Sequence, residues 1–157
     1  MSPRKWWHEL PAGVFAGFVM LFASSVIANA QSATPNIVRA HLIGLSNDKG
    51  RVACIIFKSA DGWPRDRSKS VARVQAPIQN QEGVCEFKDL PPGTYGIASF
   101  QDEYETGKMK YSMLGRPQEA YGFSNDAKPA TLSPPPFSAA SFSYSGGTLN
   151  LTMQAQH

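Results

Sequence analysis

Short runs of alternating apolar and polar residues, separated by Gly, Pro, Asn and Asp, fill most of the chain after residue 36. In residues 37–43, Val38, Ala40 and Leu42 share one face, whereas residues 51–58 are apolar on both faces, which is typical of a central strand. Similar runs lie near residues 71–78, 84–88, 94–100, 140–144 and 149–154. The pattern predicts an all-β fold, a single seven-stranded antiparallel β-sandwich over residues 37–155.

One long segment, residues 101–137, lacks this alternation and contains charges, glycines, aromatics and three consecutive prolines. It follows the strand that leaves the turn Pro91-Pro92-Gly93, where Gly93 is predicted to take a positive φ. Loops of this length are uncommon in small domains and often carry function. The functional site is therefore expected in this segment.

The first 30 residues have the pattern of a secretory signal peptide. Arg4 and Lys5 form a basic head, residues 12–27 are apolar or small, and Ala28 and Ala30 precede a predicted cleavage after Ala30. The alternative is a retained membrane anchor, although the apolar run is shorter than the roughly 20 residues that span a bilayer. A mobile leader over residues 31–36 and a periplasmic or secreted protein without a membrane span are expected.

The charge balance gives little reason to expect nucleic-acid binding. Loss of Arg4, Lys5 and Glu9 with the signal segment leaves 13 basic and 11 acidic residues. Nucleic-acid binders concentrate Lys and Arg on one face. The one basic cluster is interrupted by an aspartate and is interpreted as a solvated loop; it comprises Arg65, Arg67, Lys69 and Arg73.

The chain has two cysteines, Cys54 and Cys85, each inside a predicted strand. Two cysteines in an exported protein are predicted to form a disulfide. The alternative is a pair of buried free thiols, and no C-x-x-C spacing suggests a redox role.

Aromatic and polar residues in the loops are the candidate ligand-binding residues. They are Trp63, Glu119, Tyr121, Phe123 and Asn125. Two rings and an amide are common in carbohydrate or peptide grooves. The alternative, favoured because buried aromatics more often hold loops down than bind ligands, is that Tyr121 and Phe123 plug an open end of the sandwich.

Three sequence signatures carry a resemblance to a known family. They are GLSNDKGRV at 44–52, FKDLPPGTYGIASFQDE at 87–103 and LGRPQEAYGFSNDA at 114–127. The stretch from Leu42 to Met153 resembles the bacterial family named domain of unknown function 2141. The first two signatures are also similar to prealbumin-like and carboxypeptidase-regulatory sandwiches, which implies a prealbumin-like or Ig-like fold. The resemblance implies no reaction.

Family members typically have a loop like D-E-N-x-N-G-K-L-D after the PPG strand, and such oxygen spacing suits calcium. The corresponding oxygen ligands here are Asp102, Glu103, Glu105 and Thr106. Lys110 stands where the family has a carboxylate, and an ammonium beside a divalent ion is unfavourable. We therefore expect no cofactor, and expect Lys110 to bridge Asp102 and a loop carbonyl in place of the ion.

Catalysis has few candidate residues in this sequence. His41 is predicted to face outward on its strand, and no histidine pair has zinc-ligand spacing. The leading interpretation is a non-catalytic exported envelope protein that binds a protein partner or glycan through residues 101–137. The runner-up is a calcium-stabilised structural module. The third is a small hydrolase that uses carboxylates of the loop.

Overall fold

A computed structural model describes residues 35–131 and 133–157 of the chain. These residues form eight strands: β1 Ile37–Ile43, β2 Arg51–Phe57, β3 Ala72–Pro77, β4 Glu82–Lys88, β5 Gly93–Asp102, β6 Tyr121–Phe123, β7 Phe142–Tyr144 and β8 Thr148–Gln154. Single helical turns lie at Arg67–Lys69, Ser124–Asp126 and Phe137–Ala140. The predicted signal peptide and residues 31–34 of the predicted leader lie outside the described residues.

The strands form two sheets, so the predicted all-β architecture is confirmed. The smaller sheet has the order β4-β1-β8, and the larger has the order β3-β2-β5-β6, with β7 paired to the start of β5. The prediction of seven strands is wrong, because β6 adds an eighth. The prediction of uniformly antiparallel pairing is also wrong, because β8 runs parallel to β1. The chain changes sheets between β7 and β8, which allows its last strand to join β1 in that direction.

The main hydrophobic core lies between the two sheets. The alternate residues Val38, Ala40 and Leu42 of β1 are completely buried there, as their alternation predicts. Val52, Cys54 and Ile56 of β2 face them from the larger sheet.

The Cys54–Cys85 disulfide crosses this core and is confirmed. It joins β2 of the larger sheet to β4 of the smaller one, with the two Cα atoms 6.3 Å apart. The two layers are therefore linked covalently as well as by packing.

The turn before β5 differs from its prediction. Gly93 is the first residue of β5, and the residue with a positive φ is Asp89, at 57°. The hydroxyl of Tyr95 donates a hydrogen bond to the carbonyl of Pro91 at 2.8 Å, which holds the two prolines against the strand.

The larger sheet has a second apolar face, here called the outer face, which points away from the smaller sheet. Its buried residues are Ala53, Ile55 and Phe57 of β2 and Phe100 of β5. Loops rather than a third sheet cover this face. No helix among the described residues is long and apolar enough to cross a membrane.

Replacement of both cysteines by alanine (C54A/C85A) is expected to lower the free energy of unfolding by about 2–4 kcal/mol, because the unfolded chain loses a cross-link. Urea unfolding followed by circular dichroism measures this. Wild-type protein under reducing conditions controls for lost packing and should approach the variant. Equal unfolding free energies for the oxidised wild type and the variant would contradict a stabilising disulfide.

Candidate functional site

The segment predicted to lack regular structure contains the short strand β6. Its register pairs Phe100 with Tyr121 and Ala98 with Phe123, so all four side chains lie on the outer face. Gly122 points inward, where a Cβ atom would come within 2.7 Å of Leu42 Cδ1. The glycine therefore lets β6 approach the core closely while both aromatic rings remain outside.

Three of the five predicted ligand-binding residues meet on this face. The ring of Phe123 lies 5.8 Å from those of Trp63 and Tyr121, measured between centroids. Trp63 is held further by its indole N–H, which donates to the carbonyl of Pro135 at 2.8 Å, and by contacts with Phe57 and Phe137. Its role in the structure is to anchor two loops to the sheet.

Phe123 and Tyr121 differ in their exposure to solvent. The plug interpretation therefore applies to Phe123, whereas Tyr121 stays a candidate ligand-binding residue. Phe123 is only 8% exposed and packs as the predicted plug does, although against a sheet face rather than an open end. Tyr121 is half-buried, and burial raises the pKa of its phenol. Its ring borders a cavity.

This cavity has a volume of about 370 Å³ and lies between the outer face and the loops that cover it. Its floor consists of Ile55, Ala98, Phe100, Tyr121 and Phe123. One wall is formed by Gly107, Lys108, Met109, Tyr111 and residues 115–117, with Met109 packed against the floor. The other wall is formed by residues 129–131, Ser133 and Pro134. The lining is therefore largely apolar.

Four basic side chains complete the lining, and no Asp, Glu, His or Cys takes part in it among the described residues. They are Arg65, Arg67, Lys108 and Arg116. Sequence reasoning missed this group, because Arg65 and Arg67 were assigned to a solvated loop and the others lie about forty residues or more further along. Only the three-dimensional path of the loops brings them together.

Trp63 is not part of the cavity lining, and neither are the other two predicted ligand-binding residues, Glu119 and Asn125. Glu119 is 7% exposed, and one carboxylate oxygen accepts a hydrogen bond from the backbone N–H of Lys110 at 3.1 Å. Asn125 has φ of 59°, and its amide donates to the carbonyl of Ser141 at 2.7 Å. Both side chains hold loops in place.

The predicted calcium ligands serve different partners. Asp102 is completely buried, and its carboxylate accepts hydrogen bonds from the backbone N–H groups of Thr106 and Gly107. Glu103 accepts from the Asn47 amide at 3.2 Å, and Glu105 lies 3.9 Å from Arg51. No group of three or more His, Cys, Asp or Glu in the described ranges is arranged to hold a metal ion.

The expectation that Lys110 bridges Asp102 is wrong. The ammonium of Lys110 lies 3.2 Å from the centroid of the Tyr104 ring instead. The Asp102 carboxylate accepts from two backbone N–H groups, and the lysine makes a cation–π contact at the surface.

Comparison with protein families shows to which family the chain belongs. Residues 41–152 match a family described as an uncharacterized protein conserved in bacteria, domain of unknown function 2141. The chain belongs to this family. No curated protein and no solved structure matches the chain.

The third of the sequence signatures quoted above, residues 114–127, has a structural role here. Within it, the buried hydroxyl of Ser124 accepts from the backbone N–H of Ile97 at 2.9 Å and contacts the carbonyl of Ala140 at 2.5 Å. The signature thus fastens the edge of the larger sheet and places Tyr121 and Phe123 on the cavity floor.

The D102N variant is expected to lower the free energy of unfolding by about 1–3 kcal/mol, because the new amide cannot accept from both backbone donors. Urea unfolding measures the change. The matched control is E103Q, in which the neighbouring acid loses its charge but keeps an acceptor for Asn47; it should unfold like the wild type. Equal losses in both variants would contradict a specific role for Asp102.

Proposed function

We propose that this protein binds a small, mostly apolar molecule in the cavity under the loops and performs no chemistry on it. The observation that carries the proposal is the apolar floor, which an otherwise buried sheet face presents to an open cavity. Small-ligand sites typically enclose about 300–1,000 Å³, are mainly hydrophobic and contain a few polar groups. The volume of about 370 Å³ lies in that range.

The composition of the cavity favours a small apolar ligand over the glycan or protein partner expected from the sequence. A glycan needs amides and carboxylates that hydrogen-bond its hydroxyls, together with an open aromatic face. Trp63 has its ring packed against Phe57, Phe123 and Phe137. Asn125 and Glu119 point to loop backbone groups instead. We keep residues 101–137 as a binding segment, but we replace the expected glycan or protein partner with a small apolar ligand.

The chemistry of the lining supports binding rather than catalysis. A nucleophilic hydroxyl is usually activated by an adjacent base such as His, Asp or Glu. The lining contains the hydroxyl residues Ser99, Thr131 and Ser133, but its described residues include no His, Asp, Glu or Cys beside them.

We place this binding activity outside the cytoplasm. The predicted signal peptide over residues 1–30 supports this location. The Cys54–Cys85 bridge supports it as well, because disulfides persist in oxidising compartments such as the periplasm.

The cavity is tested with N-phenyl-1-naphthylamine, a neutral probe that fluoresces in apolar surroundings. Saturable binding to the wild type is expected. The M109W variant should weaken it by about tenfold or more, since an indole at the half-buried wall position would fill the space above the floor.

The control is M113W, which makes the same substitution in the same loop at a methionine that is fully exposed and outside the lining. It should bind like the wild type. Circular dichroism melts verify that both variants are folded. Undiminished binding to folded M109W, or equal losses in both variants, would contradict a ligand site in this cavity.

A further inference from the structure

The four cations at the cavity lack acidic partners. In the described part of the chain, the ion pairs are Arg39–Glu86, His41–Glu82, Arg51–Glu105 and Lys69–Asp61, and none includes a lining residue. Arg65 instead lies over Tyr111, with its guanidinium carbon 5.3 Å from the ring centroid. No acidic side chain of the described residues therefore forms an ion pair with a cation of the lining.

Arg67 gives a second and independent indication. One of its terminal nitrogens donates to the carbonyl of Gly107, which ties the loop wall to the helical turn Arg67–Lys69. Its Nε atom, however, is buried and has no hydrogen-bond partner. A buried donor of a charged group without an acceptor is costly. An acceptor supplied by a ligand would remove that cost.

The apolar floor and the cations impose different requirements on the occupant. Attraction between opposite charges is much stronger beside a low-dielectric surface than in bulk water. A guanidinium also matches carboxylate, sulfonate and phosphate oxygens with two parallel hydrogen bonds. An uncharged ligand would satisfy the floor and leave the cations unused.

We propose that the occupant is an anionic amphiphile, with an apolar body against the outer face and one acidic group held by Arg65, Arg67, Lys108 and Arg116. This inference rests on the proposed function, because it assigns a ligand class to the same cavity. The two groups of residues have different roles. Phe100, Tyr121 and Met109 contact the apolar body of the ligand, and the four cations bind its acidic group.

The test compares two probes that share the same rings, 1-anilinonaphthalene-8-sulfonate and the neutral N-phenyl-1-naphthylamine. We expect the wild type to bind the sulfonate about tenfold more tightly at about 0.1 M salt. The ratio of the two affinities should fall at about 1 M salt, because the screening length of the electrostatic attraction decreases from about 10 Å to about 3 Å.

The R65Q/R116Q variant removes two exposed arginines and should reduce the preference for the sulfonate to about threefold or less. The affinity for the neutral probe is measured in parallel, so that the ratio of the two affinities separates charge selection from a general loss of binding. The K58Q/K88Q variant makes the same change in net charge at exposed lysines outside the lining and should keep the full preference. K108Q, at another exposed lining position, provides a second variant should the first not fold.

Competition for the bound sulfonate then identifies the source of the acid. If decanoate displaces the sulfonate and decanol does not, the ligand is a free acid. If phosphatidylglycerol vesicles alone displace it, and phosphatidylcholine vesicles do not, the acid belongs to a lipid headgroup. Both results support an anionic occupant. Equal displacement by decanol and decanoate would overturn it.

The outcomes separate the inference from the proposed function. Equal affinities for the two probes, or an unchanged preference in folded R65Q/R116Q, overturn charge selection while leaving an apolar site in place. Failure of both probes to bind the wild type overturns both proposals.

Discussion

The larger sheet has two apolar faces, and the three-stranded sheet covers only one of them. Strand β2 is buried on both sides, with Cys54 and Ile56 facing the other sheet and Ile55 and Phe57 facing outward. Apolar area left in water is unfavourable at about 25 cal/mol per Å², so the outer face requires a cover. Loops provide this cover. The cavity is the space that remains between them and the strands.

The cover depends on a small number of polar anchors. Asp102 organises the start of the loop through the backbone N–H groups of Thr106 and Gly107, and Arg67 holds the same turn from the other side through the Gly107 carbonyl. Trp63 binds the proline-rich segment through Pro135. These contacts fasten the loops that form the cavity walls. The buried acid thus has a structural role that its position beside other carboxylates does not reveal.

Sequence reasoning succeeds where a residue's neighbours in the chain determine its position. The alternation of Val38, Ala40 and Leu42 predicts β1, and two cysteines in separate strands of a chain that is expected to be exported predict the bridge. Sequence reasoning misses strand β6, because its three residues, Tyr121–Phe123, are too few to show a period of two. The direction of β8 depends on a change of sheet that no local pattern encodes. The grouping of Arg65 with Arg116 depends on the paths of the loops. The pairing of Tyr121 with Phe100 also joins residues that are distant in the sequence, so no local pattern predicts it.

The most direct test of the covered outer face as a binding site is an amide NMR spectrum of isotopically labelled protein titrated with 1-anilinonaphthalene-8-sulfonate. The account predicts that the largest shift changes fall on the floor and wall, at Ile55, Phe100 and Met109, and that β1 remains unchanged. Shift changes concentrated at the exposed loop tip, Met113 and Leu114, or spread over the three-stranded sheet would contradict it.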